Sequence, residues 1–295
     1  MPDNQRPWFD LGPLTPTEAA IVAVCVAPVD EVPAALEWLF TTAGHDAMAL
    51  VQARIDVVSI LALLAARALR QPEILPDGWA SRLRGALSME LARARAFDDI
   101  VGPVLADPAV QALEPVITKG AAIADACYPD GFARHTSHLS LLVASPAAYD
   151  AVGTAIRAAN CELEHHAPTG SRQLYRHISG MPVFVFGGHC CNRLRDFSYD
   201  VLRADAVPGV VAGQPTLIPS PQALWTDLVY SAHVYDGRIT VQWVVDAVWL
   251  ARMQGFDPFD ISPLHADSRV TLPYQVYAET VAGWLTPDPT TPSAG

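Results

Sequence analysis

The chain has 295 residues with 19 Lys and Arg against 31 Asp and Glu, a formal charge of −12, which excludes a broad surface for nucleic acid or an anionic membrane. Hydrophobic residues at 51% against 17% charged supply enough apolar surface to exclude disorder of the body as a whole. The five cysteines, Cys25, Cys127, Cys161, Cys190 and Cys191, have no C-x-x-C spacing, so neither a disulfide framework nor a zinc ribbon is indicated.

Residues 1–13 carry acidic and aromatic side chains in place of a basic stretch followed by an apolar run. No signal peptide is expected, and a cytoplasmic setting is the simplest. Thr15-Pro16-Thr17-Glu18 combines a capping hydroxyl, a first-turn proline and a Glu able to reach back to the cap, which predicts a helix start. A second helix is expected over 30–44 and a third over 46–70. The apolar run 57–69 within the third is shorter than the ~20 residues that span a bilayer and reads as core. Leu83, Leu87, Leu91 and Ala94 give a fourth helix its apolar stripe, completing a helical subdomain over 1–107.

The period then changes. Short apolar runs at 115–118, 139–144 and 182–186 read as strands, with helices over 121–127 and 147–160 between them, a turn at Tyr128-Pro129-Asp130-Gly131 and a helix start at Ser145-Pro146. This predicts an α/β core over 108–205. Ser220-Pro221 opens a helix to about Tyr235. After an Asp236-Gly237 turn, Val241, Val244, Val245 and Val248 mark a helix closed by Gly255, and a last helix is expected over 274–285. These form a C-terminal helical subdomain over 206–285, followed by a frayed Pro-, Thr- and Ser-rich tail over 286–295.

Lys119 is the only lysine of the chain. It stands in Ile117-Thr118-Lys119-Gly120-Ala121-Ala122, which is followed by Tyr128-Pro129-Asp130-Gly131, Arg134 and Ser137-His138-Leu139-Ser140-Leu141-Leu142-Val143. With Ser220-Pro221-Gln222-Ala223-Leu224, His233 and Trp243-Val244-Val245-Asp246 further on, this order resembles a family of bacterial nucleotidyltransferase-like proteins over about 115–250. The resemblance implies an α+β fold: a mixed, DNA-polymerase-β-like sheet flanked by N-terminal and C-terminal helical layers.

In that family two acids at i and i+2 on one strand, and a third on a later strand, hold the divalent ions that activate a nucleoside triphosphate. Here the first two positions are His138 and Ser140, and the third is expected at Gly187, two residues before His189. Mg²⁺ prefers carboxylate, phosphate and water oxygens, and an imidazole with a hydroxyl does not replace two negative charges. The chain is therefore expected not to transfer nucleotides and to need no metal or cofactor.

The turn at Lys119-Gly120 faces the triphosphate in the family, which implies an anion-binding role here. The leading expectation is a repurposed tailoring enzyme acting on a small molecule or peptide by metal-independent acid/base chemistry. Its catalytic candidates are His138, Lys119 and His189; Gly120, Arg134, His135, Ser140 and Asp246 are the substrate-binding candidates. The alternative is a binding or scaffold protein without chemistry, and a residual nucleotidyltransferase comes third. Plainer roles stand beside these: Lys119 as a solvated turn residue, His138 as a filler for lost acids, Asp246 as anchor of a polar network, and His165-His166 as exposed surface. Clustering of Lys119, His138 and His189 favours catalysis; outward-facing histidines favour binding.

Overall fold

A computed structural model describes residues 14–167, 172–189, 198–231, 240–253, 256–257 and 279. Residues 1–13, Cys190, Cys191, His233, the turn at 236–237, Gly255, the tail over 286–295 and, apart from Glu279, the helix expected over 274–285 lie outside the described residues.

The helix signal at Thr15 is realised as a reciprocal cap. Thr15 Oγ1 accepts from the Glu18 N–H at 3.3 Å, and Glu18 Oε2 accepts from the Thr15 N–H at 2.9 Å, opening α1 (Pro16–Val26). A 3-10 turn at Val29–Glu31 leads into α2 (Val32–Thr42). The single helix expected over 46–70 is instead α3 (Ala49–Gln52), α4 (Ile55–Val58) and α5 (Leu61–Ala68). The first break has an identifiable cause. Arg54 is extended, at φ −59° and ψ 154°, and its N–H donates to Glu18 Oε1 at 2.8 Å. The carboxylate that caps α1 thus takes a donor that a continuous helix would return to its own carbonyl.

There follow α6 (Trp79–Ala106), α7 (Pro108–Gln111), β1 (Val116–Ile117), α8 (Lys119–Cys127), β2 (Leu139–Val143), α9 (Tyr149–Ala158), β3 (Cys161–His166), β4 (Arg172–His177) and β5 (Pro182–Gly187). The chain continues with α10 (Tyr199–Ala204), β6 (Val207–Val211), β7 (Gln214–Ile218), α11 (Pro221–Ser231) and α12 (Val241–Ala251). The chain divides into two units: Met1–Glu90, Ala133–His135 and Trp225–Gly295 form one, and Leu91–Phe132 with Thr136–Leu224 form the other. None of the helices among the described residues is long and apolar enough to cross a membrane.

The described residues of the first unit are helices and their connections. Ile21, Leu36, Leu39, Ile60, Leu64 and Trp79 are fully buried in its core, where Phe40 meets Trp79 edge-on at 4.8 Å. Arg67 of α5 is buried too. It donates to the Ala27 carbonyl, lies 5.5 Å over the Trp249 ring, and is held below its usual pKa chiefly by desolvation. Burial pushes the nearby Cys25 thiol from 9.0 up to about 12. The unfolded thiol ionises first, so this group's contribution is fully present below pH 9.0 and is lost progressively as pH rises toward about 12. A urea midpoint followed through that window is expected to fall, and Cys25→Ala is expected to flatten the fall; an equally steep profile in the variant contradicts the burial.

The second unit is built on a seven-stranded mixed sheet in the order β3-β4-β5-β2-β1-β7-β6. β1 is antiparallel to β2 and parallel to β7, while β2 is parallel to β5. All five residues of β2 are buried, as a central strand covered on both faces requires. The strands expected at 115–118, 139–144 and 182–186 are thus present, and α+β describes the chain. The region 206–285, expected to be helical, instead opens with the β6–β7 hairpin, which joins this sheet through β7. Its two-residue turn, Ala212 and Gly213, has φ of 51° and 72°, the left-handed pair that a tight hairpin demands. His165 and His166 lie on the edge strand β3 and are exposed as expected.

Candidate functional site

Side chains alternate between the faces of a strand, so register decides which residues share a surface. Ser140 pairs with Phe184 across β2 and β5, and Leu142 with Phe186. His138, two residues before Ser140, belongs to that same face, and its ring meets Phe184 edge-on at 5.4 Å. Arg172, paired with Phe186 across β4 and β5, places its guanidinium 5.8 Å from the centre of the Phe184 ring. His138, Phe184 and Arg172 therefore form a row in which one ring is flanked by an imidazole and a cation. His138 Nδ1 shares a hydrogen bond with Ser137 Oγ at 3.1 Å.

The Lys119 turn meets this row at the start of β2. The Thr118 N–H donates to the Ser140 carbonyl at 3.0 Å, which continues the β1–β2 register and sets Lys119 beside the His138 end of β2. Thr118 occupies the N-cap position of α8, yet its side chain makes no capping hydrogen bond. Thr118 and Ser140 are only 2% and 1% exposed, and neither hydroxyl has a hydrogen-bond partner among the described residues. Lys119 and Gly120, both half-buried, open the helix, with Lys119 at φ 61°, in the left-handed region that costs a side-chain-bearing residue ~1–2 kcal/mol. Strain of this kind, beside two unsatisfied buried hydroxyls, marks a place where stability has been given up locally.

The register separates two residues from this face. Gly187 pairs with Val143, so it faces the opposite side of the sheet from His138 and Ser140. It does not share their surface, as a third position of the same site would have to. A Cβ there would come within 2.7 Å of the Pro146 backbone nitrogen and 2.8 Å of the Tyr149 hydroxyl. Gly187→Ala is expected to cost about 2 kcal/mol or more in urea denaturation, because backbone cannot yield as a side-chain tip can; an unchanged midpoint contradicts this placement of β5. The β5 residue on the same face as Ser140 and directly opposite it is Phe184.

His189 does not join Lys119 and His138. Leu139 pairs with Val183 and Val143 with Gly187, so β2 and β5 run side by side from the His138 end towards His189. At ~3.3 Å per residue the two histidines lie roughly 20 Å apart along the sheet. His189 is exposed and bridges to Ser198.

The remaining candidates belong to the first unit. Arg134 Nε and Nη2 donate to Asp246 Oδ1 and Oδ2 at 2.9 and 2.6 Å, with side-chain exposures of 9% and 2%. Gln242 also donates to Asp246 Oδ1, at 2.9 Å, and Arg134 Nη1 donates to the His135 carbonyl at 3.0 Å. His135 Nδ1 lies 3.3 Å from Glu90 Oε2. Asp246 thus anchors a polar network, the plainer of its two expected roles. Trp243 is core, donating from its indole to the Leu228 carbonyl at 2.8 Å.

The structure therefore sets the Thr118-Lys119-Gly120 turn beside the Ser140 end of β2 and lines up His138, Phe184 and Arg172 on one face. Thr118 was signalled by its place before Lys119-Gly120. Phe184 and Arg172 carried no sequence signal, because their part follows from strand order alone. Among the described residues no three His, Cys, Asp or Glu side chains are grouped so as to hold a metal ion. The chain matches no protein-family model, no curated protein and no solved structure.

Proposed function

We propose that the chain is a repurposed nucleotidyltransferase-like protein that binds the anionic group of a small molecule or peptide at the Lys119 end of its sheet and does not transfer nucleotides. The observation that carries this is the strained Lys119-Gly120 start of α8 set beside the β2 end where His138 and Ser140 share a face, the positions at which the resemblance implies acids. The strand order supports the resemblance: β1, a turn, α8 and β2 follow one another, with β1 antiparallel to β2 and β5 parallel to it. A helix start with an ammonium beside it attracts anions. The Phe184 ring, between His138 and Arg172, suits an apolar or planar part of the same ligand.

A second reading, proton transfer by His138 without a metal, draws on the Ser137 hydrogen bond that orients its imidazole. The displacement of His189 removes one of its three expected participants, so binding leads. The test is native mass spectrometry of the full chain with a panel of carboxylates and phosphorylated compounds, run beside product analysis with each NTP and Mg²⁺ or Mn²⁺. Retention of an anion by the wild type, its loss in Lys119→Gly and no nucleotide transfer are expected. Robust transfer abolished by His138→Ala defeats the proposal, as does failure to retain any anion; turnover of a retained compound, lost in His138→Ala, selects the second reading.

A further inference from the structure

We infer that this site takes its anionic ligand bare, without a bridging divalent cation, and that Mg²⁺ competes with the protein for the ligand. The inference rests on the anion-binding reading above and goes beyond it by stating which ionic form is recognised. A nucleotidyltransferase-like site holds Mg²⁺ through carboxylates on one sheet face. At the positions that the resemblance would make equivalent stand the His138 imidazole and the Ser140 hydroxyl, and the residue directly across from Ser140 is Phe184. β1, β2 and β5 contain no Asp or Glu at all. Mg²⁺ demands hard oxygen donors in near-octahedral array and gives up its waters reluctantly, so this donor set does not fit it.

The charges that remain favour the opposite sign of ligand. Lys119 stands at the start of the nine-residue helix α8, whose N-terminal end carries partial positive charge. The Arg172 guanidinium lies against Phe184 on the adjoining face. Two further donors are built in: Thr118 Oγ1, at the N-cap, and Ser140 Oγ, on the residue opposite in register, are each more than nine-tenths buried and without a hydrogen-bond partner among the described residues. Hydroxyls and an ammonium donate to a bare oxyanion, whereas an anion already chelated by Mg²⁺ has much of its charge neutralised and part of its lone pairs taken up by the cation. In the family that the sequence resembles, the metal links acid to phosphate. Here it would compete with Lys119 and the start of α8 for the oxygens of the ligand.

Inorganic pyrophosphate is a suitable probe, because it binds Mg²⁺ and carries no organic part. Calorimetric titration of the full chain in EDTA is expected to give binding that weakens about tenfold or more when Mg²⁺ is added in excess over pyrophosphate, the loss expected for one charge-assisted contact. Lys119→Gly is expected to weaken the EDTA-buffered binding by a similar factor with its melting transition intact. His138→Asp combined with Ser140→Asp, which restores two carboxylates, is expected to reverse the dependence so that Mg²⁺ strengthens binding. Tighter binding with Mg²⁺ in the wild type overturns the inference and leaves the anion-site reading standing. Absence of binding in both buffers overturns both.

Discussion

Asp246→Ala is expected to lower the stability of the chain by about 3–5 kcal/mol, because it strands the Arg134 guanidinium in the interior. The pair is bidentate, at 2.9 and 2.6 Å, and its side chains are only 9% and 2% exposed. Gln242 donates to the same carboxylate and would lose its acceptor too. Removing both charges is a different experiment. Arg134→Met with Asp246→Leu replaces the pair by apolar groups of similar size, and most of the lost stability is expected to return, since the desolvation cost of both ions disappears with their attraction. Urea midpoints of the two single variants and the double variant measure the coupling. Single variants indistinguishable from wild type would show that the pair is solvated and that Asp246 is available to a ligand.

Lys119→Gly separates strain from function at the turn. The wild-type residue sits at φ 61°, where a side chain costs ~1–2 kcal/mol. Glycine avoids that cost at an entropic penalty of ~0.5–1 kcal/mol. The variant is therefore expected to be more stable by about 0.5–1 kcal/mol and at the same time to bind its anion about tenfold or more weakly, by loss of a charge-assisted contact. Opposite movement of stability and affinity is the signature of a residue kept for binding at a local cost. A variant that gains stability while binding as well as wild type would reduce Lys119 to a turn residue.

Local signals were legible where a single chemical feature dictates structure. The Thr15 and Glu18 cap, the Ser220-Pro221 helix start and the apolar strands β1, β2 and β5 all fall in this group. β3 and β4 were not legible because β3 is an edge strand: all five residues after Cys161 are exposed, including Glu162, Glu164 and both histidines, so its composition reads as a polar loop. β6 hides behind Pro208 and Gly209, tolerated at an edge, and its hairpin turn uses Ala212-Gly213 where an Asn-Gly pair would have announced it. The break at Arg54 depends on Glu18, 36 residues earlier in the chain. The nearness of Lys119 to the start of β2 was legible from local order, whereas the faces of Phe184 and Gly187 and the distance of His189 follow only from the parallel pairing of β2 with β5.

Under the proposed function, Lys119 and its helix start receive an anion that no metal accompanies. Because Lys119 is the only lysine, an amine-acylating reagent has one ε-amino target in the whole chain, and its modification is read directly by peptide mass spectrometry. Pyrophosphate in EDTA is predicted to slow acylation of Lys119 while leaving the N-terminal amine unaffected, and Mg²⁺ in excess is predicted to lift that protection. Acylation of Lys119 at the same rate with and without pyrophosphate, or protection seen only when Mg²⁺ is present, contradicts the account.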